Sequence, residues 1–160
     1  MSKVAVRFTL NGSEAQEFVE SGATLLGVLR DKLGDTSVKG GCLQGTCGAC
    51  SVIVDGVLKL ACLTLAEGCE ESHIETVASL ATGGVLHPLQ RAFVEGFATQ
   101  CGFCTSGMLM AAKALLDRNA APSREDVIEA ISGNICRCTG YEPIIQAILA
   151  ASREATRSAA

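Results

Sequence analysis

The chain has 160 residues, which is enough for one ordinary domain or two small ones. Its formal net charge of -4 argues against a nucleic-acid partner, because a nucleic-acid-binding face needs clustered Lys and Arg. No apolar run approaches the roughly 18 residues that a membrane-spanning helix needs, so the sequence predicts no transmembrane segment.

The first half of the chain has the pattern of a small β-sheet with one helix. Apolar and polar residues alternate from Lys3 to Leu10, and Asn11-Gly12 is typical of a tight hairpin turn. Thr24 is placed to cap a helix that ends near Gly34. Strands are predicted over residues 3–10, 14–20, 51–54, 57–60 and 73–77. This pattern favours an α+β domain of the β-grasp kind over residues 1–78.

The second half reads as helical. A Gly-containing linker is predicted over residues 79–86, followed by a helical domain over residues 87–160. Helices are predicted over residues 88–99, 106–118, 123–132 and 143–154, the third with a capping box. Four short helices with short connections favour a small four-helix bundle.

Nine cysteines fit a disulfide framework poorly, because their number is odd. Cys42, Cys47, Cys50 and Cys62 have the spacing C-x4-C-x2-C-x11-C, which is the plant-type ferredoxin pattern for a [2Fe–2S] cluster. Glycines around them give the loop the freedom to turn backbone N–H groups toward anionic sulfur. Cys69 lies outside this pattern.

A second cysteine group has the spacing C-x2-C-x31-C-x-C and comprises Cys101, Cys104, Cys136 and Cys138. Taken alone, these paired short spacings fit either a second cluster or a tetrahedral zinc site. The predicted helix starts next to Cys104 and Cys138 favour an anionic cluster, because helix N-termini carry partial positive charge.

Three segments together resemble the iron–sulfur subunit of the xanthine oxidase family of molybdenum hydroxylases. These segments, at residues 41–50, 100–104 and 133–141, read GCLQGTCGAC, QCGFC and GNICRCTGY. The resemblance covers about residues 3 to 150 and includes all eight ligand positions in order. It implies that the second group also holds a [2Fe–2S] cluster, so that the chain carries two.

The resemblance further implies a ferredoxin-like domain followed by a four-helix [2Fe–2S] domain. It implies a large partner subunit that binds molybdopterin and the substrate, and in most members a medium subunit that binds FAD. The implied assembly is a heterotrimer, often present as a dimer of heterotrimers. Electrons would pass from molybdenum through the helical-domain cluster and the ferredoxin-type cluster to FAD or another acceptor. The chain would have no catalytic residue of its own.

By position, Gln100 corresponds to the family's pterin-contacting glutamine, and Cys138 to the ligand nearest the pterin. The loop from Leu43 to Thr46 would face the flavin subunit. One departure is Ser106, which stands where the family usually has Pro; we expect Ser106 to cap the following helix instead.

Two alternatives remain open at this point. A free-standing ferredoxin-like carrier would be a stable monomer with a polar surface, against which the 48% hydrophobic content argues mildly. A structural zinc module would be colourless. The N-terminus lacks the apolar core of a secretory signal, so we expect a cytoplasmic location.

Overall fold

The computed structural model describes residues 3–158 and their side chains up to Glu154. Residues 1, 2, 159 and 160 lie outside the described residues. The predicted domains, and the N-terminal segment tested for a secretory signal, include some of them.

Five strands form one mixed sheet in the order β2-β1-β5-β3-β4. The only parallel pair among the described strands is β1 with β5, and the other pairs are antiparallel. Together with the helices described below, this sheet confirms the α+β class. The strands are β1 (Lys3–Leu10), β2 (Ser13–Glu20), β3 (Ser51–Val54), β4 (Val57–Leu60) and β5 (His73–Glu75).

Two hairpin turns have the predicted chemistry. Asn11 and Gly12 adopt positive φ values of 51° and 83°, and Asp55 and Gly56 adopt values of 50° and 77°. Two successive left-handed residues form the tight turn whose twist matches that of the flanking strands, which explains the Asn-Gly and Asp-Gly sequences.

The helix after Thr24 differs from the prediction because its second part is wider than an α-helix. The Thr24 hydroxyl accepts a hydrogen bond from the Gly27 N–H at 3.2 Å and caps α1 (Leu25–Gly27). A π-helical turn, Val28–Lys32, follows, in which Leu33 N–H donates to Val28 C=O at 3.0 Å. The wider turn keeps the leucines and valine of this segment buried against the sheet.

Four further helices follow the sheet: α2 (Pro88–Glu95), α3 (Thr105–Arg118), α4 (Arg124–Ile131) and α5 (Glu142–Ser158). The capping box of Ser123 with Asp126 is confirmed. The prediction that the first of these helices reaches residue 99 is wrong. It ends at Glu95, with Gly96 as its C-cap, because Phe97 takes a left-handed φ of 49° and Ala98 N–H donates back to Phe93 C=O at 2.9 Å, as in a Schellman motif.

Strand β3 joins two apolar cores. Val52 and Val54 face a core formed by the sheet and α1, whereas Ile53 on the opposite face packs into the core of α2–α5. All four residues of β3 are therefore buried, and the strand lacks the alternation of buried and exposed side chains that a half-exposed strand would have. The helices thus pack directly against the sheet, which brings both cysteine groups close to one seam.

Within residues 3–158, no helix is long and apolar enough to cross a membrane.

Candidate metal centres

The first cysteine group lies in the irregular segment before β3 and just after β4. Leu43, Gly45 and Gly48 take left-handed φ values of 58°, 82° and 69°, which wind this segment into a tight loop. A side-chain carbon on Gly41 would lie 2.9 Å from the Cys47 sulfur, so the loop backbone passes too close to sulfur for any larger residue. The left-handed residues confirm the predicted glycine-rich loop.

Backbone N–H groups point at sulfur in this loop. Gln44 and Thr46 donate to the Cys42 sulfur at 3.5 and 3.2 Å, and Cys42 N–H donates to the Cys47 sulfur at 3.4 Å. Hydrogen bonds from the Thr46 side chain and the Gln44 N–H lower the pKa of the Cys42 thiol to about 5. Burial instead raises the pKa of Cys50 to about 11. The loop therefore stabilises a thiolate at Cys42, on its more exposed side. At the buried Cys50, a thiolate needs a cationic group beside it.

The second cysteine group lies at the starts of two helices. Cys101 and Cys104 precede α3, and Cys136 and Cys138 lie between α4 and α5. The sulfurs of Cys138 and Cys101 are 3.6 Å apart. Burial raises the pKa of the Cys104 thiol to about 12.

Thr139 stabilises a thiolate at Cys136. Its hydroxyl lies 3.2 Å and its N–H 3.5 Å from the Cys136 sulfur. Tyr141 N–H donates to the same hydroxyl oxygen at 3.2 Å, and because a Cys136 thiolate carries no hydrogen, the hydroxyl is the donor to it. Burial raises the pKa of Cys136, but hydrogen bonds from Thr139, the Cys138 N–H and the Cys104 thiol together outweigh it, and the pKa is lowered overall.

The eight thiols meet in four pairs: Cys42 with Cys47, Cys50 with Cys62, Cys101 with Cys138, and Cys104 with Cys136. Within residues 3–158, no group of three or more Cys, His, Asp or Glu side chains is gathered as a single metal ion would need. Two thiolates on each iron is the arrangement that a two-iron cluster takes, so the residues present fit such a group at both sites.

Two family models match the chain. One, described as a 2Fe-2S iron-sulfur cluster binding domain, matches residues 7–95, and another, described as a [2Fe-2S] binding domain, matches residues 76–149.

Named relatives match over nearly the whole chain. The nicotine 6-hydroxylase small subunit of Paenarthrobacter nicotinovorans is 46% identical over 92% of this chain and 88% of its own length. The xanthine dehydrogenase iron-sulfur-binding subunit of Escherichia coli O157:H7 is 40% identical over 91% of this chain and 92% of its own length. The chain belongs to the small iron–sulfur subunits of the xanthine oxidase family.

A solved structure has the same fold. Quinoline 2-oxidoreductase from Pseudomonas putida 86 superposes with a TM-score of 0.93 and 46% sequence identity, covering 97% of both chains. This match extends the resemblance seen in the three sequence segments to the whole fold of the iron–sulfur subunit.

Gln100 and Cys138, both assigned by resemblance to the pterin side of the second group, lie next to each other. The Gln100 side-chain amide donates to the Cys138 carbonyl at 3.1 Å, and both residues are exposed. Cys101, the partner of Cys138, is exposed as well, whereas Cys136 is buried. The second group of this iron–sulfur subunit therefore opens to the surface on the side of Cys101 and Cys138.

Ser106 does not cap α3, contrary to expectation. Cys104 occupies the N-cap position, and Ser106 lies inside the first turn. Its buried hydroxyl has no hydrogen-bond partner among residues 3–158. The helix start survives without Ser as a cap, and a donor is left unpaired two residues after Cys104.

Cys69 lies apart from both groups. It is fully buried in the core of the sheet, and its thiol contacts Leu65 C=O at 3.6 Å. Burial raises the pKa of Cys69, which keeps the thiol protonated and unreactive.

The sequence did not lead us to the residues that donate hydrogen bonds to the cysteine sulfurs, such as Thr46 and Thr139. Their signal is present in the sequence, because each cysteine group has a Thr directly next to a cysteine, at Thr46-Cys47 and Cys138-Thr139. Asn134, whose side chain is buried at the seam between the two groups, was also missed.

Proposed function

We propose that the chain carries two [2Fe–2S] clusters and transfers electrons within a molybdenum hydroxylase. Cys42, Cys47, Cys50 and Cys62 hold one cluster, and Cys101, Cys104, Cys136 and Cys138 hold the other. The observation that carries this proposal is the meeting of all eight predicted cysteines in four thiol pairs.

The domain division belongs to the same proposal. Residues 1–78 form the ferredoxin-like domain, residues 79–86 the linker, and residues 87–160 a four-helix domain around the second cluster. Support comes from the apolar cores of the sheet and the helices, which are separate except along β3 and β4.

A [2Fe–2S] cluster, when bound, takes up and releases one electron at a time. The chain's own residues prepare each site for it. Backbone N–H groups and the Thr139 hydroxyl favour thiolates at Cys42 and Cys136. Burial of Cys50, Cys62 and Cys136 keeps water away from the ligating sulfurs and from the cluster that would carry the electron.

The second site faces a large molybdopterin-binding subunit in this proposal. Gln100, Cys101 and Cys138 are exposed together, so an electron entering there meets no intervening protein layer of this chain. Gln100 lies where the family's glutamine contacts the pterin, and its amide is fixed by the Cys138 carbonyl.

The first site faces a medium subunit with FAD. Leu43, Leu63 and Phe103 are 64%, 62% and 49% exposed, and a Cβ added at Gly45 or Gly41 would meet the side chain of Leu63 or Phe103. Large exposed apolar side chains close to a redox site are typical of a docking surface. The complex is a heterotrimer that forms dimers, and the large subunit selects the substrate.

The two-cluster proposal is tested by metal analysis of the full chain purified from cells. Two clusters give about four irons per chain, a red-brown colour and two reduced-cluster EPR signals. Fewer than about three irons, or a stoichiometric amount of zinc, contradicts the proposal.

The partner proposal is tested by purifying the tagged chain from its native host. We expect two larger chains to co-purify, one with molybdopterin and one with FAD. A monomer that is stable and active as an electron carrier without partners points to a free-standing ferredoxin instead.

A further inference from the structure

Asn134 joins the two cysteine groups across the seam between the sheet and the helices. Its side chain is 4% exposed, and its amide donates to the Gly48 carbonyl at 2.9 Å. Gly48 directly follows Cys47, and Asn134 lies two residues before Cys136. One hydrogen bond thus connects the loop of the first group to the loop of the second.

The Gly48 carbonyl is held from both sides of the seam. Ser51 donates to it through its N–H at 3.1 Å and through its hydroxyl at 2.7 Å, within the first loop. Asn134 donates from the other side, and its own N–H donates to Ile131 C=O at the end of α4 at 2.9 Å. We call this grip on the Gly48 carbonyl, by Asn134 from one side and Ser51 from the other, the clamp. It connects β3 to α4.

A backbone hydrogen bond lies next to the clamp. Ile135 N–H donates to Cys47 C=O at 2.9 Å. Cys47 belongs to the first group, and Ile135 is bonded directly to Cys136 of the second group. A route from one ligand to the other therefore crosses a single hydrogen bond.

Glycines let the two backbones approach this closely. A Cβ on Gly48 would lie 2.5 Å from Gly133 C=O and 2.6 Å from the Asn134 amide nitrogen. A Cβ on Gly107, in the first turn of α3, would overlap the Gly48 carbonyl. No side chain at either glycine position separates the two loops, so the clamp sets how close they come.

We propose that Asn134 is a positioning residue that fixes the separation of the two cluster sites, an inference that rests on the proposed function. By clamping Gly48, it keeps the hydrogen bond from Ile135 to Cys47 short. One electron crosses this contact: the centre on the helical side is oxidised by one electron, the centre on the sheet side is reduced by it, and no bond or proton moves.

The test uses Asn134→Ala and Asn134→Ser in the full chain purified with its clusters. Ala removes the donor, and Ser keeps a polar group that is too short to reach the Gly48 carbonyl. Gly133→Ala is the matched control, because a Cβ there meets nothing within 4 Å and the clamp stays intact. Iron content, both reduction potentials and low-temperature EPR of the fully reduced protein are measured for each.

Two paramagnetic centres that lie close together split each other's EPR signals, and the splitting falls steeply with distance. We expect the splitting of the wild type and Gly133→Ala to be lost or narrowed in both Asn134 variants. Freeze-quench EPR should show slower transfer of one electron between the sites. Iron content and the two separate signals should be retained, which a merely structural role in stability cannot explain.

Unchanged splitting and transfer rate in fully loaded Asn134 variants overturn the inference and leave the proposed function intact. Loss of iron from the Asn134→Ser variant, with Gly133→Ala fully loaded, also overturns it, because Asn134 would then serve to assemble a site. A wild type with fewer than about three irons per chain removes the proposed function and this inference together.

Discussion

At the scale of single residues, each cysteine group has its own threonine that donates a hydrogen bond to sulfur. The Thr139 hydroxyl lies 3.2 Å from the Cys136 sulfur, and the Thr46 side chain donates a hydrogen bond to the Cys42 sulfur. Donors at sulfur favour the more negative, reduced form of a cluster and so raise its reduction potential. Each Thr contacts the cysteines of one site only, so a variant at either Thr serves as the control for a variant at the other.

We predict that Thr139→Val lowers the reduction potential of the helical-domain cluster alone. The fall should be on the order of tens of millivolts, since about 59 mV corresponds to a tenfold change in a one-electron equilibrium. EPR-monitored titration measures both clusters in one sample. Thr46→Val should lower only the other potential, and equal shifts of both clusters in either variant contradict the assignment of ligands.

Cys138 and Cys69 should respond differently to the same substitution. We expect Cys138→Ser to perturb one cluster and to slow electron entry from the molybdopterin subunit, because Cys138 lies at the exposed side of its site. Cys69→Ser should keep about four irons and cost about 1–3 kcal/mol of folding stability, because a hydroxyl replaces a buried thiol in an apolar core. Iron analysis, steady-state turnover and thermal unfolding test this, and equal losses of activity would sink the distinction.

At the scale of elements, caps and turns were predictable because their chemistry is local. Asn11-Gly12, Thr24 and Ser123 each act on a backbone group within three residues, so the sequence alone locates them. The π-helical turn after Gly27 and the left-handed Phe97 were not predictable. Both depend on how the segment fits a core, and Phe97 occupies a position that Gly usually takes.

The start of α2 gives a pH-dependent prediction. His87 caps this helix, with its Nδ1 accepting from Leu89 N–H at 3.2 Å, and only the neutral ring can accept. Burial first, and then Lys113, lower the pKa of His87, and Asp117 partly opposes them.

Because the folded pKa lies below the unfolded value of about 6.5, the unfolded chain binds the proton more tightly. The stability from this cap is present above about pH 6.5 and is lost as the pH falls toward the folded pKa. The loss should approach about 1 kcal/mol, the usual contribution of an N-cap.

Thermal unfolding of wild type and His87→Asn at about pH 8 and about pH 5.5 measures this loss. Asn caps a helix without titrating, so the wild type should lose more stability on acidification than the variant. An identical pH dependence in both proteins shows that His87 does not titrate in this window.

At the scale of the whole molecule, the cysteine spacing predicted both sites, but the contact between them was hidden. Gly48 and Asn134 are 86 residues apart, and neither residue type marks a partner in the sequence. The eight cysteines stood out because metal ligands need a fixed residue type at fixed spacing. A clamp between two backbones needs only a small residue opposite an amide, which many positions supply.

Strand β3 packs into both apolar cores, so we expect it to couple the unfolding of the two halves. Ile53 is 2% exposed and packs into the helical core, whereas its neighbours Val52 and Val54 pack into the sheet core. Loss of the helical core therefore exposes one face of a central strand, which should destabilise the sheet as well.

We predict that Ile53→Ala costs about 2–5 kcal/mol, or roughly 5–15 °C in midpoint, and weakens this coupling. Far-UV circular dichroism should follow loss of the helices, and visible absorbance should follow release of the clusters, at one scan rate. The two transitions should coincide in the wild type and separate in Ile53→Ala. Val52→Ala is the matched control, because its side chain lies wholly within the sheet core, and its transitions should stay coincident. Separate transitions already in the wild type would mean that the halves unfold independently and that β3 does not couple them.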